Sequence, residues 1–172
     1  MAPETEQAPV NPLAQAMADF TKRVNDYLDL RKAVTRDYPD VTETGDPAKI
    51  HAREQALGKA IAMARANAKA GDVFGPVAHQ LLKIVNEDWN SRSPADRKAL
   101  LSEIPPGLTL KVNQPYPTHI PLATAPPKLL ARLPMIPEEL EYRLVDRRLL
   151  LRDRDANLII DVLVEPTLKR AE

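Results

Sequence analysis

The residues best suited to binding a metal ion are few and far apart in this chain. His51, His79 and His119 are the only histidines, and no two of them have the spacing of a helical or turn metal site. His51 and Glu54 lie three residues apart and could both contact one ion, but such a pair needs further ligands from elsewhere in the fold. The absence of cysteine excludes thiolate sites and disulfides. We therefore predict no metal or cofactor, and a solvated helix face for His51 and Glu54.

One segment imitates the start of a calcium-binding loop. Asp153, Asp155 and Asn157 have the spacing D-x-D-x-N. The sixth position of such a loop requires glycine and the twelfth a bidentate acid, but Leu158 and Val164 stand there. Since turns between strands use the same residue types, we interpret the segment as a turn.

No arrangement of residues points to a catalytic group. The serines are Ser91, Ser93 and Ser102, and none lies in a G-x-S-x-G motif. Adjacent acids such as Glu138 and Glu139 project in different directions and make poor acid–base pairs. The five glycines form neither G-x-G-x-x-G nor a P-loop, so nucleotide binding by these routes is not expected. We predict no catalytic and no cofactor-binding residues.

Five arginines lie close together near the C-terminus, but the charge around them is balanced. Residues 138–165 contain these five arginines and eight acids, which favours cross-strand ion pairs over phosphate contacts. The whole chain carries 24 basic and 24 acidic residues. Without a basic excess there is no basis for nucleic-acid binding. The arginines are Arg143, Arg147, Arg148, Arg152 and Arg154.

The N-terminal part of the chain has the periodicity of helices. The spacing predicts a first helix from residue 13 to Pro39 and a second from the N-cap Asp46 to Gly71. With a short loop between them they should form an antiparallel hairpin. Arg31 and Glu54 each interrupt an apolar stripe at similar depth. They either form an ion pair in the seam or both face water.

Two further helices are predicted, one from Gly75 with Trp89 on its apolar side and one from the N-cap Ser93 to residue 104. Residues 108–112 alternate in polarity and could form a strand. Nine of the 17 prolines fall in residues 105–137, which we expect to run extended over the surface with one helical turn at 128–132.

The last section changes to a period of two, which indicates strands at 140–145, 148–152 and 158–164. Alternation places Leu158, Ile160, Val162 and Val164 on one apolar face and Asp161 on the other. On this basis Ile160→Asp should unfold the protein, whereas Asp161→Ser should be mild.

Together these patterns predict a single α+β domain. We expect a disordered tail (1–12), a helical part (13–104) with a helical hairpin and two more helices, a proline-rich connector (105–137), and a small antiparallel sheet packed on the helices (138–165). The sheet has three strands, or four if residues 108–112 join it. We expect a monomer or weak homodimer, because little apolar helix surface would remain to share.

Three stretches resemble a family of bacterial proteins, mostly predicted to be exported, that has no assigned function. They are FTKRVNDYLDLRK (20–32), AKAGDVF (68–74) and PLATAPPKLLARLPMIPEELEYRLVDRRLLLRDRDANLIIDVL (121–163). The resemblance implies a periplasmic or secreted location, with the cytoplasm as the alternative. The tail, rich in Ala, Pro, Glu and Gln, is also of a kind common just after a removed export signal.

The leading functional hypothesis is a non-catalytic exported protein that binds a partner or a small ligand. It rests on the lack of catalytic motifs, the neutral charge and the proline-rich segment, since extended proline stretches are often recognised by other proteins. The alternatives are a self-assembling structural protein built on the helical hairpin, and a hydrolase whose site is assembled from scattered residues.

Overall fold

The computed structural model describes residues 11–38, 45–121 and 125–164. Within these residues, five α-helices precede a three-stranded antiparallel sheet, so the architecture is α+β, as predicted. The helices are α1 (Pro12–Thr35), α2 (Pro47–Ala64), α3 (Ala78–Ser91), α4 (Pro94–Ser102) and α5 (Pro127–Leu130), and a 3-10 turn (Gly75–Val77) leads into α3. The strands are β1 (Leu140–Val145), β2 (Arg148–Asp153) and β3 (Leu158–Leu163), paired in the order β1–β2–β3.

Two predicted helix starts are confirmed by their capping bonds. The Asp46 side chain accepts from the backbone N–H of Ala48 at 3.0 Å. The Ser93 hydroxyl accepts from the N–H of Asp96 at 3.1 Å and donates to the Asp96 carboxylate at 2.7 Å. Each side chain satisfies an N–H that the first helical turn leaves without a partner, which is why these helices begin where they do.

The limits of α1 differ from the prediction at both ends. Most of the predicted tail, residues 1–10, lies outside the described residues, but Pro12 belongs to α1 and Asn11 is its N-cap. The helix ends at Thr35 rather than at the residue before Pro39, which itself lies outside the described residues. A proline disfavours helical backbone just before it, and here the last helical residue comes a turn earlier than the proline.

The predicted end of α2 at Gly71 is wrong, since the helix stops at Ala64. The reason is tertiary. Arg65 donates to the Asn113 side chain at 3.0 Å and to the Ile160 carbonyl at 3.1 Å, while the Asn113 amide donates back to the Arg65 carbonyl. These contacts hold the chain in a non-helical conformation directly after the helix. The helix therefore ends because of contacts with Asn113, which is distant in the sequence, and not because of Gly71.

The two hairpin turns of the sheet are confirmed. Asp146 and Arg147 form a two-residue turn with φ values of 47° and 58°, and Asn157 has a φ of 47°. Positive φ at both central residues is the turn geometry that matches the twist of antiparallel strands. The register places Glu141 opposite Arg152 and Val145 opposite Arg148.

The predicted strand at residues 108–112 is not formed in the described structure. A later segment lies along the free edge of β3 instead. The N–H of Asn113 donates to the Ile159 carbonyl and the N–H of Ile159 to the Gln114 carbonyl, both at 2.9 Å. The N–H of Tyr116 donates to the Asn157 carbonyl at 3.0 Å. The segment thus satisfies part of the edge of β3. Pro115 lies opposite Leu158 in a bridge whose hydrogen bonds are made by the residues on either side, so the N–H that proline lacks is not needed there.

The sheet is covered on both faces. One face packs on the helices, whose stripe of Phe20, Val24 and Tyr27 is buried together with Leu149 and Leu158. The other face packs under the first part of the proline-rich segment, with these residues in one cluster: Leu110, Tyr116, Ile120, Val145, Leu150, Ile159 and Val162. The connector was predicted to run over the surface, but it supplies buried side chains on both faces of the sheet. Without it, the second face of the three-stranded sheet would be an exposed apolar surface.

No helix in the described parts of the chain is both long and apolar enough to cross a membrane.

Candidate functional site

The calcium-like segment is a turn, as predicted, and its first carboxylate is bound by the protein itself. Asp153 is fully buried. One of its oxygens accepts from the Tyr27 hydroxyl and from Arg31 Nε, both at 2.7 Å. The other accepts from the backbone N–H groups of Asp155 and Ala156 at 3.1 and 3.0 Å. Because these donors occupy the carboxylate, its role is to join α1 to the β2–β3 turn.

The predicted ion pair between Arg31 and Glu54 is wrong, and so is the alternative that Arg31 faces water. The Arg31 side chain is only 14% exposed and contacts Asp153 and Asp155, the latter at 2.6 Å. Glu54 lies beside His51 instead, with 3.5 Å between Oε1 and Nδ1. Arg31, which interrupts the apolar stripe of α1, therefore pairs with acidic residues at the β2–β3 turn. Burial raises the pKa of the neighbouring Tyr27 further above its ordinary value, so Tyr27 remains a hydrogen-bond donor.

The predicted position of Asp161 on the solvent face is also wrong. Asp161 is fully buried, and the register of β2 with β3 shifts beside it, leaving Ile160 as an extra residue. Such a bulge puts two consecutive residues on the same face, so Ile160 and Asp161 both turn toward the helices. The same shift places Val162 in the cluster on the opposite face, and Val164, just past β3, is 48% exposed.

The carboxylate of Asp161 organises the loop between α2 and α3. It accepts from the backbone N–H groups of Gly71 at 2.6 Å and of Val73 and Phe74 at 2.8 Å, and from its neighbour Val162 at 2.8 Å. Burial raises the pKa of Asp161, and the four N–H donors oppose that rise. The loop in turn places Phe74 against Phe20, with parallel rings 6.0 Å apart.

The histidines do not converge on a metal site. His51, Glu54 and His119 border one surface groove of about 550 Å³, and His51 lies 2.9 Å from the Gln55 side chain. Across the described residues no group of three or more potential ligands is placed to hold an ion. His79 is exposed on α3.

Part of the arginine cluster forms ion pairs, as the prediction for the cluster required. Arg152 pairs with its cross-strand neighbour Glu141, and Arg143 reaches the same carboxylate at 2.6 Å. Burial alone would raise the pKa of Glu141, but hydrogen bonds and charges from the two guanidinium groups lower it overall from its usual 4.5. Arg147 makes a different contact, since its guanidinium lies over the ring of Trp89.

Arg147 borders a cleft that the sequence did not reveal. The cleft lies between the C-terminal end of α3, helix α4, the β1–β2 turn and the proline-rich segment, and has a volume of about 280 Å³. We call it the Trp89 cleft. Its lining is mostly apolar and comprises, besides Trp89, the side chains of Leu100, Leu101, Ile104, Tyr116, Ile120, Leu144, Val145 and the prolines 121 and 126, with Arg92, Glu103, Asp146 and Arg147 as charged groups.

Two side chains set the chemistry of the Trp89 cleft. The Arg147 guanidinium lies over the Trp89 ring, 5.4 Å from its centre. Leu101 is 44% exposed although it is a large apolar residue in this concave surface. An apolar lining with a few charged groups is the usual composition of a small-molecule site. The sequence placed Trp89 on the apolar side of a helix and Arg147 in a group of arginines. The two residues are brought together by the packing of the β1–β2 turn against α3.

Comparison of the chain with protein-family models, curated proteins and solved structures found no match in any of the three.

Proposed function

We propose that this protein is a non-catalytic binding protein and that the Trp89 cleft receives a small, mainly apolar ligand. The observation that carries the proposal is the combination of a concave apolar lining with Trp89 and the exposed Leu101. Large apolar side chains at a concave surface are favoured when a ligand covers them. A volume of about 280 Å³ lies just below the usual range of about 300–1,000 Å³ for small-molecule sites, which favours a compact ligand.

The chain offers a direct reporter for this proposal. Trp89 is the only tryptophan, so its fluorescence reports on the cleft alone. We expect octanoate or octanol, as compact apolar probes, to change the Trp89 emission in a saturable way. At 100 times its Kd, a ligand of the native state stabilises by about 2.7 kcal/mol. For a chain of this size that raises the Tm by about 5–10 °C.

A charged substitution in the cleft provides the decisive variant. Leu101→Asp places a carboxylate in the apolar lining and should abolish probe binding. Leu13→Asp is the matched control, because Leu13 is 46% exposed at the start of α1, outside the cleft. Both variants should fold, since neither side chain is buried. Equal probe binding by wild type and Leu101→Asp would refute the cleft as the site.

We also propose an exported location. The proposal is supported by the resemblance to a mostly exported family and by the composition of the first twelve residues. Fractionation of the producing cell with an antibody against this chain tests it. Recovery in the cytoplasmic fraction alone would contradict it.

The other two hypotheses stay predictions. Assembly through the α1 stripe needs that stripe at the surface, whereas Phe20, Val24 and Tyr27 are buried within the chain. A hydrolase needs a pocket with a reactive histidine or acid. The shifted carboxyls Glu141 and Asp161 are each bound by the protein's own donors, and neither lines the Trp89 cleft.

A further inference from the structure

Within the part of the chain that the structure describes, Arg147 differs from the neighbouring arginines in having no anionic partner. Arg92, also in the cleft, donates twice to Asp88, at 3.1 and 2.9 Å. Arg148 lies 3.9 Å from Asp146. Among the described residues, no carboxylate pairs with the half-buried Arg147, whose one specific contact is the Trp89 ring.

Contact with a ring does not occupy the N–H groups of a guanidinium. The attraction is electrostatic and acts between the positive charge and the face of the ring, while the five N–H groups of arginine lie along its planar edge. That planar edge matches the two oxygens of a carboxylate, which it can bind with two parallel hydrogen bonds. Arg147 is therefore arranged as a carboxylate receptor beside an apolar surface.

We propose that the ligand of the Trp89 cleft is a small organic carboxylate, whose apolar body lies against Trp89 and Leu101 and whose acid group binds Arg147. This inference rests on the proposed function and specifies its ligand class. A neutral or cationic ligand would leave the charge of Arg147 without compensation in a partly desolvated site, which lowers affinity.

The remaining charges of the cleft set the direction in which such a ligand binds. Glu103 is exposed at the C-terminal end of α4, and the Asp146 carboxylate lies 3.9 Å from the Arg148 guanidinium. Both repel an anion, so the acid group is favoured only at the guanidinium of Arg147. The apolar body then extends along the leucines of α4.

The hairpin turn holds Arg147 in place before any ligand arrives. Its two central residues have φ values of 47° and 58°, and Val145 and Arg148 pair directly behind them. A turn closed by paired strands restricts the backbone of Arg147, so little conformational entropy is lost on binding.

Octanoate, octanol and octylammonium test the inference, because they have similar apolar chains and carry head groups of different charge. Titrations followed by Trp89 fluorescence and by Tm should show octanoate binding about tenfold more tightly than octanol, and octylammonium the most weakly. Arg147→Gln should remove the preference for octanoate while octanol still binds. Arg147→Lys keeps the charge without the planar fork and should retain part of the preference. Arg154→Gln, at the other hairpin turn, should behave as wild type.

The outcomes separate the two levels of the proposal. Equal affinity for octanoate and octanol in the wild type, or an unchanged preference in Arg147→Gln, would overturn the carboxylate inference and leave the binding proposal standing. If none of the three probes binds the wild type, both are overturned. Because Arg147 is only half-buried and no carboxylate among the described residues pairs with it, circular dichroism should show native folding for both variants.

Discussion

The buried carboxylate of Asp161 should be among the most sensitive positions of the protein, although its place in the strand pattern suggested the opposite. Two of its donors, the N–H groups of Val73 and Phe74, are buried and bind the same oxygen at 2.8 Å. Asp161→Ser shortens the side chain and removes that acceptor. Each buried N–H left without a partner costs about 1–3 kcal/mol, so the two together cost about 2–6 kcal/mol.

One effect works in the other direction. Removing the carboxylate also removes the cost of burying a charge, which is the cost that raises the pKa of Asp161. We therefore expect the lower part of the range, a loss of about 2–4 kcal/mol in the free energy of unfolding. That is a large fraction of the stability of about 5–15 kcal/mol that is typical of natural proteins. Asp161→Asn keeps one of the two oxygens and should lose less than Asp161→Ser.

Urea unfolding followed by circular dichroism measures these losses as shifts of the midpoint at constant slope. Hydrogen exchange adds a local measurement, since the amides of Val73 and Phe74 should lose protection. Asp29→Ser is the control, because Asp29 is exposed on α1. If Asp161→Ser were as stable as Asp29→Ser, the role of Asp161 in holding the loop would be refuted.

Three further substitutions probe other contacts. Gly58→Ala should lower stability by about 1–2 kcal/mol in urea unfolding, because the new Cβ would lie 2.7 Å from the Ala156 carbonyl oxygen, whereas the same change in an exposed helix stabilises by about 1 kcal/mol. Tyr27→Phe removes the hydrogen bond to Asp153 and should lower stability by about 1–2 kcal/mol. Glu141→Gln should weaken the acid dependence of the Tm, because a carboxyl whose folded pKa is lowered stabilises above pH 4.5 and loses that effect as the pH falls through the folded value.

Matched variants serve as controls for these three. A Cβ at Gly45 meets no atom within 4 Å, so Gly45→Ala should not destabilise. Tyr38→Phe and Glu138→Gln are the controls for the other two substitutions, because Tyr38 is only partly buried and Glu138 is exposed. Three results would contradict the contacts on which these predictions rest. They are a gain in stability for Gly58→Ala, an unchanged stability for Tyr27→Phe, and an unchanged dependence of the Tm on acid pH for Glu141→Gln.

The parts of the fold that follow from local chemistry were predictable from the sequence. Asp46 and Ser93 mark helix starts because a short polar side chain reaches the N–H two or three residues ahead. Asp146 and Arg147 mark a hairpin because two strand patterns flank a two-residue gap. In each case the interacting groups are close in sequence, and their spacing alone indicates the structure.

The errors share a different cause. Both alternatives for Arg31 were wrong, α2 was extended to Gly71, and residues 108–112 were considered as a fourth strand, whereas residues 113–116 lie along β3. Each depends on a partner more than 40 positions away in the chain. Periodicity shows which polar side chains interrupt an apolar stripe, but it does not show which distant group each of them contacts.

The amino-acid sequence alone was thus enough to predict the α+β class, the starts of α2 and α4, the three strands and the balance of charge, because capping, turn geometry and apolar periodicity act between near neighbours. Which polar groups are buried, and where a ligand can bind, followed from the tertiary structure. The bulge at Ile160 turns Asp161 inward, and the tip of the β1–β2 hairpin brings Arg147 onto Trp89. Both depend on how strands and helices are placed against one another, and such contacts between distant segments leave no periodic trace in the chain.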